Sequence, residues 1–284
     1  MSPFLPTPPD PSKPGSFPPN PAIPIAPPPW TLKAQAWTFL YSDINTDDCP
    51  SQNPNNTPET LQSILPPGAY HPFETLHASA LRKLTNGNPQ FQTSWLKAVM
   101  IVRYTDTDVG PYDELILIPG RAVNPNTGKK EMRISTIYVS TDASVWSGRR
   151  NWNIPKHRAR FEFTPVGTDK DIALKVYHPE NAPAPLDPNV PFFTVLLKGS
   201  SLPKLPLPAL APLPLVQPPL LKSRWPPGIQ DAGSWGLSYP ARLDEGENTL
   251  QWHGDRIGFP KVNFWAAGTV FDGVVGFGVA DVVS

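Results

Sequence analysis

The chain has 284 residues, and its 24 lysines and arginines balance 24 aspartates and glutamates. Zero net charge excludes a general binder of nucleic acid or of an anionic membrane surface, because nonspecific affinity for phosphate comes from excess positive charge. A single cysteine, Cys49, excludes a disulfide framework within the chain and fits a reducing, cytoplasmic setting.

The compositional outlier is proline, with 41 residues, roughly 14% against a usual value of about 5%. Residues 1–29 form a proline-rich stretch with too few backbone donors for regular structure. They read as a disordered tail ahead of one domain spanning 30–284. Such a tail resembles ligands of polyproline-binding modules, although a solvated tail is the simpler reading. Its start, "MSPFLPTPPDPS", lacks the basic and apolar regions of a signal peptide.

In chain order, the alternating, aromatic "WTLKAQAWTFLYSD" (30–43) predicts a strand. "NNTPETLQSILPPG" (55–68) predicts a short helix, capped by Asn56 or Thr57 and stopped by Pro66-Pro67-Gly68. Residues 72–87 are a second, weaker helix candidate. The chain then turns to strand-length runs at 94–104, 112–123, 131–140, 159–166, 171–179 and 191–199. They are separated by turn residues at 106–111, 124–130 and 167–169. A second proline-rich segment, 201–227, is richer in leucine and reads as an extended arm on a surface, such as a contact in a homo-oligomer. Two more runs, 258–268 and 273–283, close the chain. This many short strands with little helix predicts a mainly β (α+β) fold, its antiparallel sheet closed into a barrel or folded into a sandwich. No run reaches 18 apolar residues, so no transmembrane helix is expected.

No nucleotide-binding glycine motif, nucleophile elbow or zinc-protease motif is present. The five histidines are scattered without metal-ligand spacing. Asp106 and Asp108 sit in a turn, and no third acidic ligand follows at the spacing a metal loop needs. Lysine chemistry is what the sequence leaves. An amine with an ordinary pKa near 10.4 is almost wholly protonated at neutral pH. Burial or a neighbouring cation lowers that pKa, and the freed amine then condenses with a carbonyl to give an iminium, an electron sink. In "GRRNWNIPKHRARFEF" (148–163), Lys156 follows Pro155. Trp152 and Ile154 offer an apolar wall, and Arg149, Arg150, His157 and Arg158 offer cations. Lys261, in "GFPKVNFW", also follows a proline among aromatics but lacks the upstream Gly-Arg pair.

The stretch "GRRNWNIPKH" resembles the catalytic segment of the acetoacetate decarboxylase superfamily, in which a Gly-Arg pair precedes a Pro-Lys whose lysine forms the Schiff base. Gly148, Arg149, Pro155 and Lys156 match that pattern. "GPYDE" (110–114) resembles the segment whose glutamate faces the lysine, and "LQSILPPG" resembles an N-terminal element. The resemblance implies an antiparallel β-barrel or cone with a few peripheral helices. It also implies a lyase that acts on a keto acid or related carbonyl compound by decarboxylation or by aldol or dehydration chemistry, and that needs no metal or organic cofactor. It assigns Lys156 and Glu114 as catalytic, and Arg149, His157, Trp152 and Ile154 as residues that tune or line the site.

The sequence departs from the family in several places. His157 replaces a second lysine, and Arg150 replaces a glutamate. The strand before "GPYDE" carries no acid in 94–104. The arginine expected to hold a substrate carboxylate is missing from 31–41, leaving Lys33 as the stand-in. Those departures keep two other readings open: a catalytically silent barrel that binds an apolar small molecule, and a scaffold that recruits partners through its tail.

Overall fold

The computed structural model describes residues 21–42, 68–74, 91–123, 128–152, 154–200, 205–207, 224–225, 230–241, 253–278 and 281–282. Residues 1–20 of the tail, residues 55–67 of the first helix candidate and most of the 72–87 candidate and of the 201–227 arm lie outside them. Residues 71–74 form a turn, closed by the Glu74 N–H on the His71 carbonyl at 2.9 Å.

The described elements are β1 (Trp30–Ser42), β2 (Phe91–Asp106), β3 (Tyr112–Val123), β4 (Lys130–Arg133), β5 (Thr136–Val139), α1 (Asp142–Trp152), β6 (Lys156–Arg158), β7 (Arg160–Val166), β8 (Thr168–Tyr177), β9 (Pro191–Gly199), β10 (Leu205–Leu207), β11 (Arg224–Trp225), β12 (Gln230–Ala241), β13 (Asn263–Phe264), β14 (Gly268–Phe277) and β15 (Asp281–Val282). The protein is therefore mainly β, as its sequence pattern predicts. Thirteen of these strands form one sheet along the path β6-β5-β3-β2-β1-β14-β12-β9-β8-β7, with β4, β10 and β13 attached at its sides. All its pairings are antiparallel except β5–β6, which is parallel.

The two ends of that path are consecutive in the chain. Only Ala159 separates β6 from β7, so chain continuity draws the first and last strands together and curls the sheet. Inside the curl, Phe39, Val99, Ile101, Leu115 and Leu117 meet Leu174, Val176, Phe192, Phe193 and Val195 from the far strands. The other face of β1–β3 and β5 carries a second core, in which Leu32, Val102, Tyr104, Tyr112, Ile116 and Val139 pack with Trp30, Trp152 and Ile154. Alternate residues of β3 thus enter different cores, and nearly all of that strand is buried. This two-sided burial explains why 112–123 reads as a continuous apolar run rather than a clean alternation.

Three local readings are corrected. The expected strand 131–140 is broken between Arg133 and Thr136, where the Ser135 N–H reaches back to the Leu117 carbonyl. The expected strand 258–268 is mostly loop. One Asp255 carboxylate oxygen accepts the N–H groups of Ile257, Gly258 and Phe259, which ties the backbone into a knot no strand can adopt. Helix α1 does not figure in the sequence reading at all, although its signal exists. Thr141 caps the helix by accepting the Ser144 N–H, Asp142 lies in the first turn, and Arg149 and Arg150 lie in the last.

Candidate active site

Helix α1 buries Ser144, Ser147, Gly148, Asn151 and Trp152 against the sheet, at the three- and four-residue spacing that defines one helical face. Its end is closed by the Ile154 N–H on the Gly148 carbonyl. The chain then reverses tightly at Pro155. The Lys156 N–H binds the Ile154 carbonyl at 2.7 Å, a three-residue turn that suits the fixed φ of proline. The Pro155 carbonyl accepts from the Ile137 N–H, which docks β6 beside β5. The Pro-Lys dipeptide therefore acts as a hinge that sends Lys156 back under the helix it has just left.

Register decides where that lysine goes. Lys156 pairs with Ile137, and Glu114 on β3 pairs with Val139 on β5, so both project toward the core beneath α1. The two side chains are 5% and 3% exposed. Lys156 Nζ lies 3.4 Å from Glu114 Oε1. It donates to Ser144 Oγ at 3.1 Å and sits 5.1 Å from the centre of the Tyr112 ring. Burial pushes the lysine pKa down, and the Glu114 charge opposes that shift. Burial pushes the Glu114 carboxyl up, and Lys156 opposes it. Both groups are thus moved toward their neutral forms. Glu114 Oε2 is buried and makes no close hydrogen bond, although Tyr104 lies near enough to the carboxyl to oppose the rise in its pKa.

Gly148 makes the arrangement possible. A Cβ at this position would lie 2.5 Å from Lys156 Cδ and 2.7 Å from Cε. Only a residue without a side chain lets the lysine stem pass across the helix face.

His157, the next residue on β6, points the other way. Its Nε2 meets Glu74 Oε2 at 2.6 Å, and its ring stacks on His71 with centroids 3.7 Å apart. Arg149 grips the same carboxylate at 2.8 and 3.0 Å and also donates to the Lys156 carbonyl at 3.3 Å. The sequence reading assigns Arg149 and His157 as cations that tune the amine. The structure turns both toward Glu74 instead: alternation along β6 sends His157 to the face opposite Lys156, and Arg149 reaches the same carboxylate from the last turn of α1. Burial, not a neighbouring cation, is the leading cause of the lowered lysine pKa.

Trp152 and Ile154 are buried in the core beneath α1. Trp152 packs edge-on against Trp30 at 4.8 Å and donates its indole N–H to the Gly278 carbonyl, so it supports the helix. Lys33 is exposed on β1 and does not replace the missing arginine. Lys261 is half-buried in the loop before β13. Arg158 pairs at the surface with Asp142.

Sequence reasoning missed Glu74, Ser144 and Tyr112. Glu74 is invisible because its partners lie more than seventy residues away. Ser144 had a signal in its spacing, four residues before Gly148 on a capped helix. The scattered histidines also converge, with His178 lying 6.3 Å from His71 and 4.3 Å from Phe192. Among the described residues no cluster of histidine, cysteine or acidic side chains is arranged to hold a metal.

The Glu74 clasp makes a prediction about stability. Burial alone would raise the Glu74 pKa, but the His157 and Arg149 hydrogen bonds outweigh it and bring it down to about 2. A depressed carboxyl adds stability above its unfolded pKa and loses it as pH falls. Glu74→Gln is therefore expected to cost about 3 kcal/mol at pH 7. Chemical denaturation of both proteins should show that difference shrinking between about pH 4.5 and about pH 2, the two ends of the shift. A gap that stays constant with pH would mean that the carboxylate charge plays no part.

No protein-family model and no curated protein sequence matches the chain. Among solved structures it is similar to acetoacetate decarboxylase from Legionella pneumophila, at 10% identity and a TM-score of 0.50, over 91% of this chain and 88% of that one. The enduracididine biosynthesis enzyme MppR complexed with pyruvate is similar at 13% identity and a TM-score of 0.49, over 92% of each chain. An acetoacetate decarboxylase-like enzyme from Sphingomonas wittichii RW1 gives 13% identity and a TM-score of 0.42, over 90% and 92%. At these identities the likeness is one of fold, and it rests on the Legionella structure. Among the described residues no helix is long and apolar enough to cross a membrane.

Proposed function

We propose that this chain, whose fold is that of acetoacetate decarboxylase, is a lyase that works through a Schiff base on Lys156. The observation that carries the reading is a buried lysine whose amine lies 3.4 Å from a buried carboxyl, with its pKa lowered first of all by burial. The neutral amine of Lys156 attacks the carbonyl carbon of the substrate, and the carbonyl electron pair moves onto oxygen. After the amine proton passes to that oxygen, the carboxyl of Glu114 protonates it and it leaves as water. A cationic iminium then faces the Glu114 carboxylate. The iminium draws electrons from the neighbouring bond, which supports loss of carbon dioxide from a β-keto acid or an aldol or dehydration step on a related carbonyl compound. Glu114 Oε2, which makes no close hydrogen bond, is the acceptor available for the proton moved in such a step. The chemistry requires no metal or organic cofactor.

The test is trapping. Incubation with acetone or acetoacetate and borohydride, followed by intact mass, should add one reduced adduct to the protein and none to Lys156→Ala. Peptide mapping should place it on Lys156. Failure to trap any of a broad set of ketones, aldehydes and keto acids, or an adduct that survives Lys156→Ala, would overturn the proposal. The former result would leave the non-catalytic barrel that binds an apolar small molecule as the reading to pursue.

A further inference from the structure

We propose that Ser144 is a positioning residue for Lys156, with its hydroxyl oriented by Tyr112 so that the lysine lone pair is left open to the substrate. This inference rests on the Schiff-base reading of Lys156.

A neutral amine has two N–H donors and one lone pair, and it is nucleophilic only along the lone pair. The structure supplies a fixed acceptor for each donor. Ser144 Oγ lies 3.1 Å from Nζ, and Glu114 Oε1 lies 3.4 Å from it. Two acceptors held on two different elements, α1 and β3, fix the rotation of the amine about its Cε–Nζ bond. The lone pair then takes the remaining direction.

A serine hydroxyl can also act against this, since it is donor and acceptor at once. If its proton turned toward Nζ, it would cap the lone pair that must attack. Tyr112 is the partner assigned to that proton. It is buried beneath α1, and its ring centre lies 5.1 Å from the same Nζ that donates to Ser144. Committing the serine proton to the tyrosine oxygen would leave the serine lone pairs for the amine. Ser144 has no exposed surface, and it lies in the first turn of α1, four residues before the glycine over which the lysine passes. One helical face therefore carries both the gap for the stem and the acceptor for its tip.

A role limited to packing makes a different prediction. An acceptor oxygen on Nζ favours the ammonium over the amine, so its removal should lower the pH at which Lys156 becomes reactive. A packing defect would admit water and raise that pH toward the ordinary lysine value. The experiment measures the rate of reductive trapping with acetone and cyanoborohydride from pH 6 to 10 in wild type, Ser144→Ala and Tyr112→Phe. Thermal unfolding of each variant is followed alongside.

In Ser144→Ala the plateau rate is expected to fall about tenfold, the weight of one hydrogen bond, with the midpoint of the pH profile shifted downward. In Tyr112→Phe, which keeps the ring, the plateau is expected to fall in the same direction. If wild type traps acetone but Ser144→Ala shows an unchanged plateau or an upward midpoint, the positioning role is wrong and the lysine mechanism stands. If wild type traps nothing, the lysine mechanism itself is wrong, and this role falls with it.

Discussion

Gly148→Ala is expected to reduce trapping of a carbonyl at Lys156 by about a hundredfold or more while the protein stays folded. The added methyl would sit 2.5 Å from Lys156 Cδ and 2.7 Å from Cε, closer than non-bonded carbons approach. The clashing atoms belong to the lysine stem and not to the backbone, so the lysine moves and the helix stays. A displacement of about an ångström at a reacting atom is enough for a hundredfold loss. It also breaks the contacts of Nζ with Ser144 and Glu114. Overpacking of this size costs about 1–3 kcal/mol, and the better helix propensity of alanine returns about 1 kcal/mol of it. The melting temperature should therefore change by only a few degrees, while the trapping rate collapses. A variant that traps a ketone as fast as wild type would show that the lysine reacts from some other conformation.

Lys156→Met is expected to be destabilising in a pH-dependent way, and Lys156→Met combined with Glu114→Leu is not. Removing the lysine leaves Glu114 buried without its cation, a loss of about 3–5 kcal/mol when the carboxyl is charged. The sign follows from burial. The folded carboxyl already has a raised pKa, and loss of Lys156 raises it further, since the lysine is what opposes the shift. A raised carboxyl holds its proton in the folded state after the unfolded chain has released it. Stability is therefore greatest below the ordinary carboxyl value of 4.5 and falls as pH rises above it. Chemical denaturation should show Lys156→Met close to wild type at pH 4 and well below it at pH 8. The double variant replaces a buried polar pair with apolar side chains in a core already lined by Val102 and Val139. It should be at least as stable as wild type, by up to about 4 kcal/mol, at every pH. A double variant weaker than wild type would mean that the pair itself stabilises the fold. The expected order would instead identify the pair as a feature kept at a cost in stability, as reactive groups commonly are.

The fold and the site were legible in the sequence to different degrees, and the difference is physical. Strands β1, β3, β8 and β9 appear in the sequence within a few residues of their observed ends, because each is a local apolar run bounded by turn residues. Strand β12 does not, because Gly233, Gly236 and Pro240 carry none of the usual strand preference. It forms because β14 and β9 pair with its two edges. The same holds at 258–268, where a favourable strand composition loses to one aspartate side chain that takes three backbone donors. Helix α1 is short of apolar residues and was hidden by its polar buried face. Ser144, Ser147, Gly148 and Asn151 are buried beneath it, a pattern that no hydrophobic period reveals.

In the candidate site, the sequence by itself determined which residues to compare, through the family pattern they resemble. The Gly-Arg spacing before Pro155-Lys156, and Glu114 after Gly110 and Tyr112, are local patterns. They identify which lysine and which glutamate to pair, and the structure places the two 3.4 Å apart. Tertiary structure decided what surrounds them. The reading of Arg149 and His157 as tuning cations failed because a run of charges in sequence says nothing about faces. β6 alternates, so Lys156 enters the core beneath α1 while His157 leaves it for Glu74. Whether a lysine lies in a low dielectric depends on what closes over it, and here that is a helix, a glycine gap and a sheet meeting across strands remote in the chain. Sequence carries the identity of a reactive group, and only the packed fold carries its solvation, which sets its pKa.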